Sequence, residues 1–140
     1  MMAVTMMTIA GACSLLAALL HVGVMIKGPR WYRLFGAGER MATLAEQGSP
    51  RPTLITSGIA LVLTIWAFYA WSAAQWLPPL PFTIPVLWLI TIIYLIRGTL
   101  GFVAMLFNQH PTIAQNSPAF WFWSSIVCLL IGLVHLVGLL

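Results

Sequence analysis

Acidic side chains are almost missing. The 140-residue chain has no aspartate and two glutamates, Glu39 and Glu46. Charged residues of both signs make up 6% of the chain, against about 25% in an ordinary soluble domain. A surface so poor in charge cannot stay dissolved, so lipid is the expected solvent for most of it. Cysteine is equally scarce. Cys13 and Cys128 both fall inside apolar runs and form neither a CxxC pair nor a disulfide framework. They read as small packing residues.

What is there is apolar. Hydrophobic residues are 61% of the chain and mean hydropathy is +1.01. Four runs, 3–26, 53–74, 85–107 and 119–140, each hold the about 20 residues that cross a hydrocarbon core. The first opens without a basic leader and is too long for a signal-peptide core, so it reads as retained. Trp66, Phe68, Tyr69, Trp71 and Trp76 crowd the end of the second run, and Phe120-Trp121-Phe122-Trp123 opens the fourth. Amphipathic rings prefer the headgroup level. The expected fold is therefore an all-α membrane protein: a single domain over 1–140, four transmembrane helices in an up-down bundle.

The connection from Lys27 to Pro52 holds every charged side chain except Arg97. The formal net charge of +4 thus marks orientation and not a nucleic-acid surface. Five of the six bases lie in this one loop, which places it in the cytoplasm of a bacterial-type inner membrane with both termini outside. A helical period runs from Arg33 to Gln47. Leu34, Ala37, Met41, Leu44 and Ala45 share one face, opposite Arg33, Arg40, Thr43, Glu46 and Gln47. That pattern predicts an amphipathic helix lying in the membrane interface. Gly36 and Gly38 weaken its start, and Gly48 through Pro52 ends it. Glu39, Arg40 and Glu46 read either as a solvated face or as the rim of a pocket under the bundle.

Arg97 is the sharpest signal. A guanidinium at mid-bilayer costs about 2.5–3.5 kcal/mol on insertion scales, and Arg97 falls about 15 Å from the cytoplasmic side. Glu39 is the expected partner, reaching up from a deformable loop helix. The alternatives are carbonyls, Tyr94, hydroxyls, water or a bound anion, either a lipid headgroup or an anionic substrate. Gly98 and Gly101 would let another backbone approach. His21 and His135 each follow a stripe of small residues, Ala10/Ser14/Ala18 and Ser124/Cys128/Gly132. Each reads as a packed histidine or as a protonatable step. They stand roughly 15 Å apart along the membrane normal, too far to share a metal ion or the two faces of one haem. No cofactor or metal is expected. The two small-residue stripes predict that the first and fourth spans pack directly on each other.

Small multidrug transporters share the four spans but need a carboxylate in the first, and disulfide-forming quinone reductases need paired cysteines near a membrane surface; neither is present. Arg40, Glu46 and Pro50 partly echo an Arg, Asn-x-x-Glu, Pro pattern, with Thr43 in place of the asparagine. In this, and in length, four spans and a basic first loop, the chain resembles the membrane family of glutathione and eicosanoid metabolism. That resemblance implies a small membrane enzyme, or a lipophile- or glutathione-binding protein, with a site between Arg97 and the loop. The residues themselves favour a non-enzymatic role: ion or solute handling, or an accessory subunit. The expected partners are the bilayer and another membrane protein or a second copy, and no nucleic acid. Labelling of a reporter cysteine should find position Ser49 accessible from the cytoplasm and Leu140 from outside; the reverse would overturn every depth given above.

Overall fold

The computed structural model describes residues 1–35 and 38–140. Gly36 and Ala37, which belong to the expected loop helix, lie outside the described residues. The regular elements of the described residues are all helices: α1 (Met2–Lys27), α2 (Pro29–Leu34), α3 (Glu39–Glu46), α4 (Arg51–Ala73), α5 (Thr83–Leu106) and α6 (Pro118–Leu139). α1, α4, α5 and α6 are each long and apolar enough to cross a membrane. Their outward faces carry large apolar side chains such as Leu16, Leu61, Leu89, Ile96, Leu130 and Leu133. In water such a surface would aggregate; in lipid it is the satisfied state.

Glycine and proline set the ends. Gly28 closes α1 at a φ of 70°, with its N–H donating to the Val24 carbonyl at 2.9 Å, and Pro29 starts α2 with its φ already helical. The single loop helix predicted over 33–47 is two short ones. α2 begins four residues earlier than expected, at Pro29, and α3 starts after Gly38, which stands at a φ of 93°. A left-handed residue there breaks the helical path. A second core forms at this end, where Val24, Tyr32 and Ala42 are buried together. Ser117 caps α6 by accepting the Phe120 N–H at 3.1 Å.

α1 packs chiefly on α4, and α5 chiefly on α6; α1 also meets α6, and α4 meets α5 more lightly. Gly11 makes room for the Trp71 indole, whose Nε1 donates to the Thr8 carbonyl at 3.2 Å, and at the other end Ser57 donates to Met25 Sδ at 3.1 Å. Between α5 and α6 the close approach is at glycine. A β-carbon at Gly98 would stand 2.9 Å from the Leu129 backbone nitrogen, and one at Gly132 would press on Leu95 and Tyr94.

α1 and α6 do meet, as the small-residue stripes predict, but a side chain of α5 stands between Gly132 and Ser14. Gly132 faces Tyr94 of α5, and the Tyr94 hydroxyl reaches Ser14 of α1 at 2.9 Å. One residue of each stripe, Ser14 and Gly132, thus flanks one tyrosine. Where α1 and α6 do touch, Met7 lies against Gly138. Gly98→Ala should cost about 1–3 kcal/mol of stability in detergent, because the new methyl would press on Leu129 Cγ and on the Leu129 backbone nitrogen, which cannot rotate away. Gly58→Ala has nothing within 4 Å to meet and should be neutral or stabilise by about 0.5–1 kcal/mol. Thermal unfolding of the two variants decides.

Candidate functional site

Thr91 and Tyr94 on α5 and Ser125 and His135 on α6 are buried polar side chains. Tyr94, one turn above Arg97 on α5, is buried, and three groups surround it. Ser14 shares a hydrogen bond with its hydroxyl, Trp66 meets it edge-on at 5.1 Å between ring centroids, and the His135 ring lies 5.5 Å away, tilted by 33°. Ser14 and His135 are themselves fully buried. His135 Nδ1 is 2.9 Å from the Ile131 carbonyl oxygen. A carbonyl only accepts, so Nδ1 carries the proton and Nε2 is left as a bare acceptor. Nε2 is buried and has no partner. The tyrosine and the far histidine, named separately from the sequence, are therefore neighbours.

Arg97 lies one turn toward the α2–α3 side. Its Nη2 donates to Ser124 Oγ at 3.3 Å, and its guanidinium carbon sits 5.2 Å from the centre of the Trp121 ring. A hydroxyl and an aromatic face are both neutral partners; the second adds about 0.5–2 kcal/mol of cation–π attraction. Nη1 is buried and unpartnered, as is Ser125 Oγ across the α5–α6 interface. Asn116 Oδ1, in the connection before α6, is a fourth such atom, and it lies against Gly38. All four unpartnered buried atoms among the described residues belong to α5, α6 or the chain between them.

Glu39 does not meet Arg97. It is exposed and accepts from Arg33, at 3.0 and 3.1 Å from Nε and at 2.8 Å from Nη2, while Arg33 Nη1 donates to Glu46 at 2.6 Å. One guanidinium thus clasps both acids of the chain. The reason is local. Arg33 stands six residues from Glu39 in water, whereas pairing with Arg97 would carry a carboxylate into hydrocarbon. Hydrogen bonds to the two carboxylates hold Arg33 above the usual arginine value, and the Arg33 hydrogen bond holds both carboxyls below theirs. His21 is also apart: it is half-buried near the end of α1, with Nδ1 2.7 Å from the Ala17 carbonyl oxygen of its own helix.

Sequence reasoning missed Arg33 as the holder of both acids, and it missed Ser125. The usable signal was spacing. Gly101 follows Arg97 by one turn, and the Ser124-Ser125 pair offers hydroxyls on two adjacent bearings of α6. Two open depressions lie elsewhere: an apolar groove of about 470 Å³ along Ile55, Ile59, Val62 and Trp66, and one of about 400 Å³ by Ser72, Gln75 and Thr83. Arg40, Thr43 and Glu46, which carried the family resemblance, sit on α3, outside the four apolar helices. No protein-family model, curated protein or solved structure matches the chain.

The clasp has a defined pH response. Carboxyls held below their ordinary value of 4.5 contribute fully above that value and lose the contribution as pH falls below it. Protection of the Gln47, Gly48 and Ser49 amides, taken as their exchange relative to an unstructured peptide at the same pH, should therefore fall below pH 4.5, and Glu46→Gln should bring part of that fall to neutral pH. Exchange that is indifferent to both would show that Arg33 holds nothing in place.

Proposed function

We propose that this is a small multi-pass protein of a bacterial-type inner membrane, one four-helix domain in up-down order, that handles an ion or small polar solute along the α5–α6 seam. In this reading the Lys27–Pro52 connection is cytoplasmic, with α2 and α3 at the interface, and Met1 and Leu140 are on the opposite side. The observation that carries it is where the unpartnered buried polar atoms lie: Arg97 Nη1, Ser125 Oγ and His135 Nε2 on α5 and α6, with Asn116 Oδ1 in the connection between them. Each such group costs about 1–3 kcal/mol when left unsatisfied. In lipid that cost has no compensation from solvent. A stretch that collects them on one seam is supported as a place where a mobile polar species comes and goes.

Several features favour handling over catalysis. Both carboxylates are clasped by Arg33 at the exposed end, which leaves no acid beside Arg97 to act as a general base. The hydroxyls of Ser124 and Ser125 have a cation beside them and no base. The order of the seam, from Asn116 past Arg97 to Tyr94 and His135, runs from the loop side past the midplane. Proteoliposomes containing the protein should leak small anions or protons faster than empty vesicles, measured by an entrapped chloride- or pH-sensitive dye. Arg97→Gln should change that rate at least about tenfold, the equivalent of one charged hydrogen-bonding partner. Rates equal to those of empty vesicles for both ions would remove the reading in favour of an accessory subunit.

A further inference from the structure

The apolar groove on α4 continues an interface that α4 shares with α5. It has a volume of about 470 Å³ and is lined by Ile55, Gly58, Ile59, Val62, Leu63 and Trp66. Farther along the same side of α4, Leu63, Ala70 and Ala74 are buried in one cluster with Leu87, Ile90 and Tyr94 of α5, and Trp66 meets Tyr94 edge-on. Toward the charged connection that side of α4 is left uncovered, and Ile55, Ile59 and Val62 are exposed. A methyl group built at Gly58 would meet nothing within 4 Å, so the space there is open.

Length and charge say what fits. From Ile55 to Trp66 the helix rises about 16 Å, and the hydrocarbon of one leaflet is about 15 Å deep. A partner helix would use the whole span; a lipid chain entering from the loop side ends where this groove ends. Arg51 stands one turn before Ile55, on the same side of α4 and at its first residue. It is exposed and forms no ion pair among the described residues, since both acids of the chain are held by Arg33. A second copy docked through this groove, about an axis along the membrane normal, would set Arg51 against Arg51. Like charges in register disfavour that pairing.

We infer that the groove holds one acyl chain of an anionic phospholipid from the loop-side leaflet, with the lipid phosphate at Arg51. The chain gains close contact with Ile55, Ile59 and Val62 where α5 does not cover them. Contact of that kind suits any lipid, so the choice of lipid falls to the head. A guanidinium fork offers both charge and donors to phosphate oxygens, and a lipid of net negative charge gains more from it than a zwitterionic one. Nothing in this site requires flux along the α5–α6 seam, so the two readings fail separately.

The test releases the full chain from nanodiscs of equal phosphatidylcholine and phosphatidylglycerol and weighs it by native mass spectrometry. The expected species is a single chain carrying one phosphatidylglycerol, kept in preference to phosphatidylcholine. Arg51→Gln should lower that preference about fivefold, the effect of one base at an anionic surface. Gly58→Leu, which grows into open space, should lower retention of either lipid at least about threefold, through a handful of lost dispersion contacts. Leu61→Phe, at an exposed position on another bearing of α4, should change neither. Arg51 is exposed and Gly58 has room beside it, so both test variants should fold, with melting temperatures close to the parent's. No retained lipid, equal retention of the two lipids, or retention that Arg51→Gln and Gly58→Leu leave at the wild-type level overturns the site. A two-chain mass that Gly58→Leu abolishes also overturns it, and gives the groove to a second copy.

Discussion

Tyr94 carries its hydroxyl from the small-residue face of α6 across to that of α1, and three helices are positioned by that one side chain. Its Cβ lies against the gap at Gly132, its ring sits between Trp66 and His135, and its oxygen meets Ser14. A hydrogen bond of this kind matters more in a bundle core than at a wet surface. Once the helices have dehydrated, neither hydroxyl has water to fall back on. Measured side-chain bonds within membranes are nonetheless modest, about 0.6 kcal/mol on average. The ring packing therefore carries much of the stability, and the hydroxyl pair fixes the rotation of α1 and α5 about their axes.

Charge is distributed by a similar economy of means. Two acids face six bases, and Arg33 engages both acids where water screens the pair. Exposed pairs contribute little to stability, but this one decides what remains elsewhere. With no carboxylate left over, Arg97 is held by a hydroxyl and an indole. The clasp on α2–α3 and the open donor on α5 are two ends of one allocation.

The four apolar helices were legible in the sequence because span length and hydropathy are set by lipid and not by partners; the observed ends fall within two residues of those expected. Periodicity also identified the right faces, since Ser14, Ala18 and Gly132 are all buried. It could not say what each face meets. A stripe of small residues is a concave surface that accepts a backbone or a bulky side chain equally, and here it accepts a tyrosine. The pairing of Glu39 was misjudged for a different reason. The expectation weighed what Arg97 needs and not what it costs to move a carboxylate there, and the nearer Arg33 was counted only as part of a polar face. Ser125 has no periodic signature of its own; the spacing of Gly101 after Arg97 hints at a close approach, and only the structure shows that Ser125 fills it.

The pairing of α1 with α4 and of α5 with α6 has a bearing on biogenesis. Each pair is contiguous in the chain, the first joined through the clasped loop and the second through residues 107–117. Each is therefore a hairpin whose closest contacts lie within itself, Gly11 on Trp71 in one and Gly98 on Leu129 in the other. Helices entering a bilayer insert first and associate afterwards. The first hairpin can close its own interface while the second is still being synthesised. The bond from Tyr94 to Ser14, which joins the two halves, is then among the last to form, and until it does the polar groups of the α5–α6 seam stand at the open edge of a half-built bundle.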